Sequence, residues 1–442
     1  MMTLERQCWN PGIETLDAIA YSESHGQALQ DQLTYVWQHS KFYQDKFRQA
    51  GIKPGDVKDL EDLAKLPFTE KCELRDSQAL APPLGTHMAS AASAVKRIYS
   101  TSGTTGRPTY IGLTEYDIKV WQEAACRAFW SCGLRQDSIT PLVVSPFVIA
   151  ASYADALERI GTLVPIGVGA TDRLIAAYQH VGANTLLCTS SFPLHFAASL
   201  KQRGIDPLEL GIRLIMAGGE PGASIPHVRQ QIEETYNCQL MELSGNGDMC
   251  GLMWAECEHK LGMHFIAQGI VHPEIIDPDT GEVLPIQTGT SGELVYTSLD
   301  RQCIPLVRFR TGDHIHVTHT ECECGRTGFG IRIIGRTDDM MIVQGVNVYP
   351  SAVRDVVASL APQTNGTIEI QLHAAPPDGW KPPVHIKVEY DEQNAGPETL
   401  KAELESLIRE KLIFRTNIEL VPSGALPRYE YKAKLVNKLY EG

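Results

Sequence analysis

Residues Tyr99-Ser-Thr-Ser-Gly-Thr-Thr-Gly-Arg-Pro-Thr109 put five Ser/Thr hydroxyls and two glycines between a tyrosine and a proline. Glycine lets a backbone bend close to an anion, and hydroxyls together with amide N–H groups donate hydrogen bonds to phosphate oxygens. The segment therefore reads as a phosphate-gripping loop. It is not the Walker pattern, because no Lys-Ser/Thr pair follows the second glycine. A flexible Ser/Gly linker has a similar composition. The flanks argue against a linker: 95–99 is strand-like and 110–113 is a second apolar run, so the loop joins two elements of one folded body.

Towards the N-terminus, Leu29, Leu33, Val36 and Trp37 fall at helical spacing and Gly51 supplies a stop, which predicts an amphipathic opening helix within 27–50. Towards the C-terminus, β-rich runs at 142–144, 185–188, 212–216 and 293–297 alternate with helix-like segments at 116–131 and 224–236. Such alternation predicts layered α/β architecture with partly parallel sheets. After Gly335 the pattern changes: a helix starts at Pro350, strands lie near 368–372 and 384–389, a Pro/Gly-rich loop fills 376–383, and Leu400, Leu404, Leu407 and Ile408 share a helix face. That is a compact α+β unit of about one hundred residues. The expected organisation is an α/β fold: a large layered N-terminal domain with mixed and parallel sheets over 1–334, then a small mobile α+β C-terminal domain over 335–442.

A chain of 442 residues is long enough for two or three domains. Its apolar fraction of 43% and charged fraction of 21% are those of a globular protein, and no apolar run approaches the length of a bilayer span. The N-terminal residues MMTLERQCWNPGIE carry acidic side chains and no basic lead into an apolar run, so a cytoplasmic enzyme with no membrane partner is expected. A net charge of −14 argues against a nucleic-acid surface. In a reducing compartment, clustered members of the eleven cysteines read as thiols or metal ligands.

The hydroxyl-rich loop resembles the phosphate loop of the adenylate-forming superfamily of acyl-CoA synthetases, luciferases and peptide-synthetase adenylation domains. Further segments agree in order. Gly218-Gly-Glu-Pro221 resembles the adenine-lining segment, Phe309-Arg-Thr-Gly-Asp313 the ribose segment, Gly335-Arg-Thr-Asp-Asp339 the hinge, and Leu426-Pro-Arg-Tyr-Glu-Tyr-Lys432 the C-terminal lysine loop. Leu66-Pro-Phe-Thr-Glu-Lys71, Pro273-Glu-Ile-Ile-Asp-Pro278, Gly292-Glu-Leu-Val295 and Gly345-Val-Asn-Val-Tyr-Pro350 are similar to the phenylacetate-CoA ligase branch. The resemblance runs from about residue 35 to the end. It implies an ATP-dependent ligase that forms an aryl-adenylate and pyrophosphate, then the aryl-CoA thioester, from a phenylacetate-, benzoate- or aminobenzoate-type acid.

Joining a carboxylate to the α-phosphorus of ATP brings two anions together, so catalysis must rest on positioning and charge neutralisation. A lysine ammonium is a compact point charge suited to that task. The resemblance gives it to Lys432, with Lys434 the weaker candidate. It places ATP on Ser100, Thr101, Ser102, Gly103, Thr104, Thr105 and Gly106, on Gly219, Glu220 and Pro221, and on Ser244, Gly245, Asp313 and Arg336. A carboxylate such as Asp313 can accept hydrogen bonds from both ribose hydroxyls; its other reading is an ion pair with Arg308 or Arg310. Asp338 would be the hinge about which the small domain swings. The segment Glu242-Leu-Ser-Gly-Asn-Gly-Asp248 departs from the family's aromatic-Gly-x-Ser/Thr-Glu pattern. Ser244 stands for the adenine-stacking aromatic and Asp248 for the Mg²⁺-binding glutamate, with Glu242 the other candidate metal ligand. Phe147, Tyr153 and Ala217 fall where the family places its acyl pocket.

A second constellation is independent of that resemblance. Cys-x-Cys-Gly turns can present two thiolates to one soft cation, and four N/S ligands satisfy tetrahedral Zn²⁺. Cys257, His264, Cys322 and Cys324 are the expected ligands, with Cys250 and His259 as substitutes and buried, unligated thiols as the rival reading. A closed shell of that kind is structural. The expected ligands and partners are ATP, Mg²⁺, Zn²⁺, a small aromatic acid and coenzyme A. Three points stay open: a carrier-protein pantetheine as the acceptor, a homodimer, and a non-catalytic nucleotide-binding homologue.

Overall fold

The computed structural model describes residues 8–101, 108–220, 222–336, 341–343, 346–374, 381–392, 394, 396–427 and 435–440. Ser102, Gly103, Thr104, Thr105, Gly106, Pro221, Asp338, Lys432 and Lys434 lie outside the described residues.

Strands β1 (Val95–Ser100) and β2 (Tyr110–Thr114) pair antiparallel, with Ser100 opposite Tyr110. The hydroxyl-rich loop thus connects a β-hairpin, and the linker reading falls. The opening helix is two helices, Ala18–His39 and Lys41–Gln49. Asp17 starts the first by accepting from the Ala20 amide at 2.8 Å. Ser40, extended at φ −104° and ψ 111°, breaks the run and accepts from the Tyr43 amide as the cap of the second. Leu29, Leu33, Val36, Tyr43 and Phe47 are fully buried against Leu299 and Val307, which anchors this pair to the main body.

A twelve-stranded sheet spans that body. One half holds β3 (Ile139–Val143), β4 (Thr162–Ile166), β5 (Thr185–Cys188), β6 (Leu214–Ala217) and β7 (Gln239–Asn246), mutually parallel in the order β4-β3-β5-β6-β7. Helices Ala154–Ile160, Phe192–Gln202 and Pro226–Tyr236 make crossovers, as parallel neighbours require. The other half is antiparallel: β8 (Cys250–Ala255), β9 (Met263–Phe265), β10 (Val271–Ile276), β11 (Val283–Leu284), β12 (Ser291–Ser298), β13 (Phe309–His319) and β14 (Gly330–Arg336). It continues from β7 in the order β8-β9-β14-β13-β12-β10-β11. Trp254, Phe265, Tyr296 and Phe309 fill its core, where the Trp254 indole donates to the Tyr296 hydroxyl at 2.6 Å.

The C-terminal part has its own sheet and core. After the hairpin β15 (Met341–Val343) and β16 (Val346–Val348) come β17 (Thr364–Leu372), β18 (Val384–Tyr390), β19 (Thr416–Pro422) and β20 (Val436–Lys438), ordered β19-β18-β17-β20. Helices Pro350–Ala358 and Pro397–Leu412 cover it, burying Val353, Val357, Leu400, Leu404 and Ile408 against Ile370 and Ile386. The fold is therefore mixed α/β, with a large sheet-rich body and a smaller C-terminal unit.

Candidate active site

The β1–β2 hairpin brings Thr101 and Thr109 face to face. The Thr101 amide donates to the Thr109 carbonyl at 3.0 Å, and the Thr109 amide donates to Thr101 Oγ1 at 3.0 Å. Thr109 Oγ1 then donates to Asp248 Oδ1 at 2.8 Å. Asp248 stands on the turn between β7 and β8, where Asn246 Oδ1 holds its amide at 3.0 Å, and it is buried. Its second oxygen forms an ion pair with Lys71, the first residue of helix Lys71–Leu80. Burial holds the Lys71 ammonium below its usual pKa against the pull of Asp248, and Arg75 and Arg336 push the same way. Lys71 and the Thr109 hydroxyl thus meet at one carboxylate, with Thr101 behind Thr109 and the Arg75 and Arg336 charges acting on Lys71, an arrangement that favours a polyanion carrying a divalent cation.

Asp313 and Arg336 face each other across β13 and β14, and Arg336 Nη1 donates to Asp313 Oδ1 at 3.0 Å. The alternative partners of Asp313 are engaged elsewhere: Arg308 pairs with Glu274 at 3.0 Å and Arg310 with Glu293 at 2.5 Å. The β13–β14 edge therefore offers a carboxylate beside a guanidinium, next to the Lys71 cluster.

Gly218 and Gly245 are glycines for steric reasons. A Cβ on Gly218 would lie 2.2 Å from the Leu243 carbonyl oxygen, and one on Gly245 would lie 2.0 Å from that of Gly251. Ser244 and Gly245 lie near the end of β7, half-buried and exposed respectively. Gly219 takes a left-handed φ of 82°. The Glu220 carboxylate turns away to accept the Ser191 amide at 2.8 Å. Glu242, the other candidate metal ligand, sits apart from the Asp248 cluster. Its amide donates to Glu256 Oε2 at 2.8 Å, and Arg229 clasps Glu256 at 2.7 and 2.9 Å. Burial, then the Glu256 charge, pushes the Glu242 carboxyl up to about 7.

Ser100 donates its amide to the Phe147 carbonyl at 2.9 Å, which ties the hairpin to the 147–153 segment. The Phe147 ring is half exposed, 6.2 Å from that of Tyr110. The Tyr153 hydroxyl donates to the Gly251 carbonyl at 3.0 Å, with its ring edge-on to Phe129 at 5.9 Å. Phe147 and Tyr153 thus share one short segment but different packing partners, Tyr110 for the first and Phe129 for the second. Ala217 is fully buried in the further cluster of Phe196, Ala223 and Ile232.

Cys257, His264, Cys322 and Cys324 converge, with their ligand atoms all within 4.8 Å of one another. A tetrahedral zinc with bonds of about 2.3 Å sets sulfurs about 3.8 Å apart. Cys257 Sγ and Cys322 Sγ are separated by 3.8 Å, and Cys324 Sγ is 3.5 Å from His264 Nε2. The Gly328 carbonyl, 2.8 Å from His264 Nδ1, orients Nε2 towards the sulfurs. Burial disfavours the imidazolium, yet Cys322, Cys324 and the Gly328 carbonyl outweigh it and raise His264 to about 9. Cys250 bonds the Leu252 carbonyl, and His259 lies beside Glu258; neither joins the set. His319 Nε2, only 3.4 Å from His264 Nε2, is a neighbour that spacing did not reveal. Lys71 was likewise missed as a site residue, although its phrase carried part of the family resemblance.

Among the described residues, no helix is long and apolar enough to cross a membrane. The AMP-binding enzyme C-terminal domain family matches residues 345–438. The chain is 31% identical over 445 residues to phenylacetate-coenzyme A ligase of Thermus thermophilus, covering 96% of this chain and 97% of that one. Its fold is similar to that of 2-hydroxyisobutyryl-CoA ligase in the postadenylation state with R3-HIB-AMP, with TM-score 0.90 and 28% identity over 99% of this chain and 94% of the other. Against that ligase with 2-HIB-AMP and CoA in the thioesterification state, the TM-score is 0.72, at 29% identity over 99% and 94% of the two chains.

Proposed function

Because the chain belongs to the phenylacetate-coenzyme A ligase family of adenylate-forming acid–thiol ligases, which use ATP and coenzyme A, we propose that it activates a small aromatic carboxylate. The single observation that carries the site assignment is Asp248, held by Thr109 of the hydroxyl hairpin and ion-paired to Lys71.

In this reading the acid attacks the α-phosphorus of ATP, pyrophosphate leaves, and the coenzyme A thiol then attacks the acyl carbon and displaces AMP. The loop 100–106 and Lys71 hold the phosphates, with Arg75 adding charge nearby. Mg²⁺ on Asp248 would neutralise phosphate charge; the buried carboxylate among hydroxyls is a hard oxygen ligand that fits it. Asp313 takes the ribose hydroxyls, with Arg336 fixing its orientation. Gly219, Glu220 and Pro221 line the adenine through their backbone, and Ser244 with Gly245 closes the opposite side. Lys432 bridges the attacking carboxylate and the α-phosphate. Residues 1–334, together with the end of β14 at Gly335 and Arg336, form the body, and the rest of 335–442 is a lid that turns about Asp338, because Lys432 and a thiol cannot occupy one face of the same carbonyl. The higher similarity to a postadenylation structure than to a thioesterification structure supports two such arrangements.

The Phe147 and Tyr110 rings and the packed Tyr153 support an aromatic acid. A second reading, a small branched hydroxy acid, is favoured by the likeness to 2-hydroxyisobutyryl-CoA ligase. Acid-dependent pyrophosphate exchange with phenylacetate, benzoate, aminobenzoates and 2-hydroxyisobutyrate separates them. Exchange with the last alone overturns the aromatic reading, and exchange with none overturns the ligase reading. Offering free coenzyme A or a phosphopantetheinylated carrier to the acyl-adenylate identifies the acceptor. The eleven cysteines, thiols or metal ligands with no disulfide among them, support a cytoplasmic setting. The Cys257, His264, Cys322 and Cys324 set is read as a structural Zn²⁺ site, apart from the reaction.

A further inference from the structure

We infer that the metal at Cys257, His264, Cys322 and Cys324 is a pin across a short-laddered seam of the twelve-stranded sheet, holding together the two strand systems that carry opposite sides of the nucleotide site. The inference rests on the zinc reading for the metal itself and goes beyond it in assigning what the metal does.

The seam is β9. This strand has three residues, and among the described residues it is the strand that lies between β8 and β14. Its ladder to β8 consists of Trp254 opposite Phe265 and Ala255 opposite His264. Its ladder to β14 consists of Gly330 opposite His264 and Ile331 opposite Met263. By contrast β13 and β14 pair along most of their length, from Asp313 opposite Arg336 to His319 opposite Gly330. Short ladders contribute few backbone hydrogen bonds, and edges so joined open more readily than long ones.

The four ligands are distributed across this seam. Cys257 follows the end of β8, on one side. His264 is on β9 itself, opposite both Ala255 and Gly330. Cys322 and Cys324 come from the connection between β13 and β14, on the other side. Two further backbone bonds cross there, from the Phe265 amide to the Phe329 carbonyl and from the Ile266 amide to the Met253 carbonyl, both at 2.9 Å. One tetrahedral ion would therefore bond to all three parties where both ladders are short. A second tie meets the same connection from the N-terminal segment: Glu14 accepts Arg326 Nε at 2.9 Å, and the Thr327 amide donates to the Glu14 carbonyl at 3.0 Å.

The functional consequence follows from where these strands lead. On the β8 side the chain reaches the turn that presents Ser244 to Asp248. On the β14 side the strands carry Asp313 and Arg336. Relative movement at β9 changes the spacing between the two faces that hold one nucleotide. An apolar bridge also crosses the seam, with Trp254 against Phe265 at 5.0 Å and against Phe329 at 5.3 Å. Loss of the metal should therefore loosen the seam locally and leave the rest of the body folded.

The experiment is metal analysis of the full chain purified without chelator, then amide hydrogen exchange on the same protein as isolated, stripped with a chelator, and reloaded with Zn²⁺. About one equivalent of zinc is expected, and stripping should speed exchange at 263–266 and 330–331 by about tenfold or more, reversed on reloading. The dissociation constant for ATP should rise in parallel. A Cys322→Ser, Cys324→Ser double variant should mimic stripping. Zinc below about a tenth of an equivalent overturns the metal reading. Bound zinc whose removal leaves 263–266 and 330–331 unchanged, or speeds exchange evenly along the chain, overturns the pin. Neither result touches the ligase reading, which acid-dependent pyrophosphate exchange tests separately.

Discussion

Lys71 and Asp248, 177 positions apart in sequence, form an ion pair at the mouth of the hydroxyl hairpin, with Thr109 on the other carboxylate oxygen. Each restrains the other where the triphosphate of ATP is proposed to lie. Lys71→Met should therefore lower kcat/KM for acid-dependent pyrophosphate exchange on the order of 10²–10³-fold, as expected for a charged group aimed at the transferring phosphates. Thiolation of a supplied acyl-adenylate, from which pyrophosphate has already gone, should change far less. Equal losses in both half-reactions would reduce Lys71 to a prop for Asp248.

Glu242 gives a pH signature. Its folded-state pKa of about 7 lies above the ordinary carboxylate value, so between about 4.5 and 7 the native state binds more protons than the unfolded state. Stability from this group is complete below that window and falls as pH rises through it, by at most about 3 kcal/mol. Glu242→Gln removes the titration and keeps a polar side chain. The variant should match the parent in denaturation midpoint at about pH 4 and exceed it at about pH 8. A constant difference between the two pH values would discard the assignment.

The N-terminal segment offers a stability test. Glu14 and Arg326 are both buried, with side-chain exposures of 0% and 2%, and their groups meet at 2.9 Å. Removing one partner leaves a charge buried, so Glu14→Gln should cost about 3 kcal/mol in urea denaturation. A loss below about 1 kcal/mol, the scale of an exposed pair, would show that water reaches this site.

What could be read from sequence divides along physical lines. The hydroxyl hairpin was legible because its signal is local: hydroxyls, glycines and two strand-like flanks within a few residues. The Cys/His set was legible because few residue types bind soft cations, so Cys322-x-Cys324 and the thiol and imidazole of 257 and 264 stood out before their convergence was seen. The Lys71–Asp248 and Glu14–Arg326 pairs were not, because charged residues are ordinarily solvated and nothing local announces a partner hundreds of positions away. Ala217 shows the converse limit. Its place at the end of β6 follows from the segment order, but whether its methyl faces a pocket or the Phe196 cluster depends on the strand's rotation. The break at Ser40 was hidden because both helices keep apolar residues on one continuous face.

The last prediction separates the two half-reactions at Lys432. In the proposed cycle this residue meets the α-phosphate only while the lid is in its adenylating position, and the lid turns about Asp338 before the thiol arrives. A group present for one step and withdrawn for the next contributes to the first barrier alone. Lys432→Ala should abolish acid-dependent pyrophosphate exchange while sparing the conversion of supplied acyl-adenylate and coenzyme A to thioester. Lys434→Ala, two positions along the same loop, is the matched control and should retain most of the exchange activity. Normal exchange in the Lys432 variant would remove the residue from the chemistry. Parallel loss of both half-reactions would instead mean that this loop stays over the acyl carbon throughout, and the turning lid would have to be abandoned.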